Sequence, residues 1–183
     1  MTEIKRSVWT VALLMMSIAA SAQHKVRSLS LEAFGAQNTI GLNFDSRLQG
    51  QAGWGYRVGV GFGYGNNSGF FDENIKGVGL PLEINYLLGA RHHKLEMGLG
   101  SNLGVYHVKT TRGYFTPSTG ESEYFTTSDN RFGYLMFANI GYRYQRPNGL
   151  LLRAGITPSF NFGGEHALHK SPVCPYLGIG WAF

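Results

Sequence analysis

The chain has 183 residues and a formal net charge of +5, with 15% charged residues, 14% aromatic residues and 26 glycines. The charged fraction is well below the roughly 25% usual for soluble globular domains, and glycine is about twice as common as average. This composition argues against a disordered chain and against an ordinary soluble domain, and the length suits one domain.

The first residues have the pattern of a secretory signal peptide. Basic residues at positions 5 and 6 precede the apolar run Val8–Ala20, and Ala-Ser-Ala at 20–22 is a small-residue cleavage site. The pattern predicts that residues 1–22 are removed and that the mature domain spans 23–183. A short membrane anchor is the alternative, but the apolar run is too short to span a bilayer comfortably.

From residue 27 onward, apolar residues alternate with small or polar ones, which is the period of β-strands. The pattern is clearest in Trp54–Gly65, where aromatic and aliphatic residues fill the even positions and glycine or arginine the odd ones. We predict eight strands, at about 27–36, 39–48, 54–65, 77–88, 94–107, 132–145, 150–160 and 175–183.

The predicted connections differ in length on the two sides of the sheet. Those after strands two, four and six are short, whereas 66–76, 108–131 and 161–174 are long. Outer-membrane barrels have short periplasmic turns, longer extracellular loops and an even number of strands. The sequence therefore predicts an all-β fold, an eight-stranded antiparallel up-and-down transmembrane β-barrel.

Alternation alone does not say which face of each strand is inside. A soluble barrel would expose the glycine face of strand three to water and bury the Tyr and Trp rings of the strand ends. Lipid around the apolar face would instead place those rings at the membrane interfaces. We therefore expect the glycine face to point inward. Arginine at Val60 is then expected to be costly, and alanine at Gly61 to be milder.

The inner face is predicted to carry four acidic and four basic residues. Since buried charges need partners, this balance predicts a structural ion-pair network that fills the lumen. Asp45 and Arg57 lie symmetrically about a turn and are expected to pair. Arg143 and Arg153 are close across another turn and need a bridging carboxylate such as Glu96. The predicted network consists of Glu32, Asp45, Arg57, Glu83, Lys94, Glu96, Arg143 and Arg153.

Segment 109–131 is the most individual part of the chain, because two aromatic pairs flank a turn-like tip at 117–120. We expect strands five and six to continue beyond the membrane as a hairpin. Binding often resides on loops held by a rigid scaffold, so this hairpin is a candidate extracellular recognition surface for a protein partner. A merely solvated hairpin is the alternative. The candidate residues are Tyr114, Phe115, Tyr124 and Phe125.

Residues 55–65 (GYRVGVGFGYG), 82–100, 141–158 and 176–183 (YLGIGWAF) resemble the outer-membrane protein β-barrel family, a group of small eight-stranded Gram-negative barrels. The resemblance implies a location in the outer membrane and contact with its lipid. The final Phe183 looks like the C-terminal signal that the barrel-assembly machinery reads. These motifs specify architecture more than activity.

Other motifs give weaker indications. The G-x-G pairs lack the spacing of nucleotide-binding loops, and the basic residues form no stripe for nucleic acid. The histidines at 92–93 and 166–169 are not supported by further ligands, so no metal and no cofactor is predicted. Cys174 is the only cysteine, which excludes a disulfide framework.

The sequence therefore predicts a non-enzymatic outer-membrane protein with a structural, adhesive or accessory role exerted through its extracellular loops. One alternative is an outer-leaflet lipid-modifying enzyme using a histidine such as His107. Ser101 and Glu96 do not serve it, because they fall on opposite faces of strand five. A second alternative is a narrow solute channel, against which the balanced lumen charges argue.

Overall fold

The computed structural model describes residues 25–65, 74–116, 121–162, 168 and 172–183, and only the backbone at 65, 74–75, 110–116 and 121–127. The predicted signal peptide lies outside this part of the chain. The strands are β1 Arg27–Phe34, β2 Ile40–Arg47, β3 Gly53–Gly65, β4 Asn74–Ala90, β5 His93–Thr116, β6 Glu121–Gln145, β7 Leu150–Phe160 and β8 Val173–Ala182.

The sheet closes on itself. Each strand pairs antiparallel with the next, and β8 pairs with β1, where Leu31 lies opposite Ile179. The predicted eight-stranded antiparallel barrel is confirmed. Closure matters physically, because an unpaired strand edge has no hydrogen-bond partner in hydrocarbon. Among the described residues, no helix is long and apolar enough to cross a bilayer.

The barrel wall is apolar outside and polar inside, which is the reverse of a soluble barrel. Ile84 and Leu99 expose 64% and 65% of their surface, whereas Glu96 and Arg143 expose none. On β3 the even positions point outward and the glycine-rich odd positions point inward. The two ends also differ. We call the end with Arg27, Phe183 and the short turns 48–52, 91–92 and 146–149 the turn end, and the opposite end the loop end.

Strands β5 and β6 form the longest ladder of the barrel. It runs without a break from His93 opposite Tyr144 to Thr116 opposite Glu121. Most of the segment expected to connect the two strands, 108–131, is therefore a continuous hairpin, as its two aromatic, Thr-rich arms indicated. The tip at 117–120 lies outside the described residues.

The connection between β1 and β2 is longer than the two residues, 37–38, that the predicted strands leave between them. Strand β1 ends at Phe34, and Gly35–Gln37 forms a 3₁₀ turn that folds into the barrel. Positive φ angles at Phe34 and Asn38, 62° and 68°, turn the chain inward and back. Residues 36–38 are almost completely buried. We call residues 35–38 the lumen plug.

Candidate functional site

All eight residues predicted for the inner face lie inside the barrel. Each exposes at most 5% of its surface: Glu32, Asp45, Arg57, Glu83, Lys94, Glu96, Arg143 and Arg153. They come from seven of the eight strands and converge because alternate residues of every strand point inward. Charges removed from water to this extent require close counter-charges.

Arg57 is at the centre of the network. Its Nη1 donates a hydrogen bond of 2.8 Å to Glu83 Oε2, and its Nη2 donates to Glu96 Oε1. Asp45 is directly opposite Arg57 in the β2–β3 ladder. The two side chains form a longer ion pair of 3.5 Å. Asp45 and Arg57 are thus adjacent, as expected. The shorter contacts of Arg57 are with Glu83 on β4 and Glu96 on β5.

The closest partner of Asp45 is Arg47, which the sequence analysis did not assign to the network. Arg47 Nη2 donates hydrogen bonds of 2.8 Å to both oxygens of Asp45 and a further bond to Asn85 Oδ1. Arg47 is fully buried. The signal for it was present, because Arg47 has the same parity as Asp45 in the predicted strand two. Arg143 Nη1 also lies 3.2 Å from Asp45 Oδ2.

Glu96 separates the two arginines that face each other across β6 and β7. Arg143 and Arg153 are directly opposite in that ladder. Glu96 Oε2 accepts a 2.8 Å hydrogen bond from Arg153 Nε, and Glu96 Oε1 lies 3.6 Å from Arg143 Nη1. Arg153 Nη1 also donates to Glu32 on β1. The like charges are thereby held together across the lumen.

Lys94 differs from the other seven residues. It is buried at the turn end, but its Nζ makes no hydrogen bond within the part of the chain that the structure describes. Its ladder neighbour is Arg143, another cation. The carboxylates of the network bind the arginines instead, so Lys94 lies in the lumen beside the described ion pairs.

The loop-end half of the lumen is filled by the lumen plug. Asn102 donates a 2.7 Å hydrogen bond to the carbonyl of Ala36, and Asn38 donates a 3.0 Å bond to the Tyr106 hydroxyl. Gln37 donates a 2.5 Å bond to Asn43. An apolar cluster covers the plug on the loop side: Tyr106, Val108, Leu135 and Leu168.

The inward glycines make room for these side chains. A Cβ at Gly79 would clash with the Tyr106 hydroxyl, and one at Gly133 would lie 2.7 Å from a Leu168 methyl group. The bare backbone of the inner face is therefore a packing requirement. It allows large lumen side chains to fit inside a narrow barrel.

The candidate recognition residues are placed only by their backbone. In the β5–β6 ladder Tyr114 is opposite Glu123, and Tyr124 is opposite Gly113. Phe115 and Phe125 belong to the same hairpin, opposite Ser122 and Arg112. The side chains of all four lie outside the described atoms, and the recognition surface stays a prediction.

The histidines of the β4–β5 turn contact aromatic residues at the turn end. His93 Nδ1 lies 2.5 Å from the Tyr142 hydroxyl, and His92 Nδ1 lies 3.3 Å from the carbonyl of Gln145. Within the described ranges, no three His, Cys, Asp or Glu side chains are arranged to hold a metal ion. His166 and His169 lie outside those ranges.

A second polar cluster, not predicted from the sequence, lies on the outward face at the loop end. His107 Nδ1 is 2.8 Å from Asn130 Oδ1, and His107 Nε2 is 2.8 Å from Ser128 Oγ. We call His107, Ser128 and Asn130 the rim triad. The β5–β6 register, which places Asn130 opposite His107, brings these distant positions together.

Comparison with solved structures gives small outer-membrane barrels. The N-terminal β-barrel domain of Pseudomonas aeruginosa OprF matches with a TM-score of 0.51 at 12% identity, over 88% of this chain and 98% of that one. A major outer membrane protein from Thermus thermophilus matches with a TM-score of 0.49 at 16% identity, over 88% and 100%. Neisserial surface protein A matches with a TM-score of 0.47 at 10% identity, over 86% and 92%.

No protein-family model matches the sequence, and no curated protein matches it. At 12% identity, the likeness to the OprF barrel domain shows the fold alone. The chain has the fold of small eight-stranded outer-membrane barrels. The resemblance found in the sequence is confirmed at this level.

Proposed function

We propose that this protein is an integral outer-membrane β-barrel with a structural, adhesive or accessory role exerted at its loop end. The observation that carries the proposal is the inverted polarity of the wall. Large apolar side chains cover the outside, while the eight charged residues of the predicted network and Arg47 are buried inside. Such a surface is stable in hydrocarbon, where a closed barrel satisfies every backbone hydrogen bond.

The proposal places the turn end in the periplasm and the loop end outside the cell. Short turns on one side and long connections on the other are the usual arrangement in outer-membrane barrels. The predicted signal peptide at 1–22 would direct export. At the C-terminal end, Ile179 and Trp181 on β8 and the following Phe183 are all exposed. This supports the prediction that the barrel-assembly machinery reads the C-terminal strand.

The filled lumen favours this role over a solute channel. The ion-pair network occupies the turn-end half, and the lumen plug with its apolar cover occupies the loop-end half. An eight-stranded barrel has an interior just wide enough for side chains. A continuous aqueous path would require the plug and the buried charges to rearrange together.

Membrane fractionation of a Gram-negative host tests the location. We expect the protein to sediment with the outer membrane and its mass to correspond to a chain beginning at Gln23. Recovery in the soluble fraction, with a folded barrel, would contradict the proposed location. Recovery in the inner membrane with residues 1–22 attached would contradict the predicted export.

A hairpin variant tests the role at the loop end. Replacing 112–125 by a short turn shortens the β5–β6 hairpin and leaves the membrane-level ladder intact. We expect this variant to fold and reach the outer membrane but to lose partner proteins recovered by cross-linking on intact cells. A variant with Tyr114, Phe115, Tyr124 and Phe125 replaced by serine separates the aromatic residues from hairpin length. Unchanged recovery with both variants would argue against a recognition surface.

A further inference from the structure

The rim triad has the hydrogen-bond order of a nucleophile, a base and an orienting residue. An amide oxygen can only accept, so Asn130 Oδ1 at 2.8 Å places the ring proton of His107 on Nδ1. Nε2 then presents its lone pair to Ser128, whose hydroxyl is 2.8 Å away and donates to it. Catalytic triads are recognised by this geometry and by these roles, whatever the fold or the chain order.

The triad lies just beyond the apolar band of the barrel. Val78, Val105 and Phe132 are ladder neighbours on β4, β5 and β6, and they expose 51%, 63% and 48% of their surface. Two residues further along each strand, about 7 Å toward the loop end, is the layer of Lys76, His107 and Asn130. Ser128 follows in the next layer.

We propose that the rim triad hydrolyses acyl esters at the membrane surface. Ser128 Oγ attacks the ester carbonyl while His107 Nε2 takes the hydroxyl proton, and His107 then returns that proton to the departing alcohol. Water next attacks the acyl-serine ester, with His107 accepting its proton and returning it to Ser128. The products are a carboxylic acid and an alcohol, so no oxidant, metal or other co-reactant is required.

The neighbouring side chains favour an anionic lipid ester as the substrate. Lys109 is directly opposite Ser128, and Lys76 is directly opposite His107 on the same outward face. Both lysines are exposed. They can bind a phosphate or carboxylate headgroup. The apolar layer below would receive the acyl chain.

This activity goes beyond the structural role proposed above. It depends on the local geometry of β5 and β6, so it can be tested on purified protein whether or not the barrel resides in the outer membrane. Glu96 takes no part in the proposed hydrolysis, because it belongs to the lumen network. Ser101 takes no part either. Ser101 does point outward on β5, six residues before His107, and is therefore a matched control serine.

The test uses the intact protein in detergent micelles, with a fluorophosphonate probe and a short-chain nitrophenyl ester. We expect the probe to label Ser128, located by peptide mass spectrometry. Ser128→Ala and His107→Gln should each reduce ester hydrolysis by at least about 100-fold. Ser101→Ala should leave both labelling and hydrolysis unchanged. The side chains of Ser128 and His107 are exposed. The heat-dependent gel mobility of the barrel checks that each variant is folded.

Asn130 acts by positioning His107, so its test requires a conservative variant. Asn130→Asp keeps an oxygen acceptor for the Nδ1 proton and should retain labelling of Ser128. Asn130→Leu removes the acceptor and should lose it. Absence of labelling in the wild-type protein, labelling of another serine, or full hydrolysis by Ser128→Ala would overturn the proposed triad.

Vesicles test the substrate class. We expect faster release of fatty acid from phosphatidylglycerol vesicles than from phosphatidylcholine vesicles of the same chain length. Lys76→Gln with Lys109→Gln should remove that preference while leaving labelling of Ser128 by the neutral probe. Equal rates on both vesicles in the wild-type protein would contradict the anionic substrate and leave the labelling result to decide the triad itself.

Discussion

Individual charges in the lumen are stabilised by several partners at once. Arg57 contacts Glu83, Glu96 and Asp45, and Asp45 contacts Arg47 and Arg143 as well. Removing one member of such a group leaves a buried charge incompletely compensated, at a cost of about 3–5 kcal/mol. Which pairs are most strongly coupled then depends on contact distance.

Double-mutant cycles are expected to separate these pairs. The Arg57–Glu83 contact is a 2.8 Å hydrogen bond, whereas Arg57 and Asp45 are 3.5 Å apart. Arg57→Met with Glu83→Gln should show a coupling of about 2–3 kcal/mol. Arg57→Met with Asp45→Asn should show at most about 1 kcal/mol, since both residues keep other partners. Equilibrium unfolding in urea with lipid vesicles measures both. A larger coupling for Asp45 would contradict this order.

Strand β3 combines two different environments at adjacent positions. Val60 is exposed on the apolar outer face, whereas Gly61 is buried beside the lumen plug. The period of two in the sequence is sufficient to assign these faces. The change in stability caused by a substitution depends on the atoms that each face contacts. The alternation of residues in the sequence does not identify those atoms.

On the outer face, Val60→Arg is expected to destabilise the barrel by about 2–4 kcal/mol, because it places a charge at mid-strand in hydrocarbon. Val60→Leu keeps the apolar surface and is the matched control. Urea unfolding of the barrel in vesicles measures the difference. Equal stability of the two variants would argue that this face does not contact lipid.

On the inner face, the sequence predicted only a mild destabilisation from Gly61→Ala. The structure indicates a larger one. A Cβ there would lie 2.7 Å from Gln37 Oε1 and 2.8 Å from the Gln37 carbonyl oxygen. Gly61→Ala must therefore displace the lumen plug, and we expect a loss of about 1–3 kcal/mol. Gly178→Ala is the control, because its nearest atom would be 3.3 Å away. Urea unfolding measures the loss of unfolding free energy in both variants. A loss no larger for Gly61→Ala than for Gly178→Ala would show that the lumen plug rearranges at little cost.

Closure of the whole barrel occurs at the seam between its first and last strands. Leu31 on β1 is directly opposite Ile179 on β8, on the outer face. Directly opposite Cα atoms are about 4.5–5.5 Å apart in an antiparallel ladder, which permits a disulfide.

Cysteines at Leu31 and Ile179 are therefore expected to cross-link on mild oxidation. The matched pair, Leu29 with Leu177, is offset by four residues along the ladder and should not cross-link. Non-reducing gels of the folded protein show the difference, and Cys174 is replaced by serine in both variants. Cross-linking of the offset pair would indicate another register or an open seam.

The alternation of residues was sufficient to predict the strands, the two faces of the wall and eight of the charged residues inside it, but Arg47 was missed. These properties depend only on the two-residue period of a strand and on the high free-energy cost of placing a charge in hydrocarbon. The positions of apolar, small and charged residues in the sequence are enough to apply both rules. Tyr114, Phe115, Tyr124 and Phe125 were also identified as one hairpin from local sequence, and the backbone ladder is consistent with that placement.

The tertiary structure alone decided which partners the buried charged residues of the lumen have. Asp45 reaches Arg143, and Glu32 reaches Arg153, across the lumen between strands that are not neighbours. Such contacts exist only once the sheet closes with a particular stagger. The inward fold of the lumen plug likewise depends on contacts across the closed barrel. The rim triad instead depends on the register of the β5–β6 hairpin. His107 and Ser128 meet because the hairpin register aligns residues that are far apart in sequence, and no local pattern encodes that alignment.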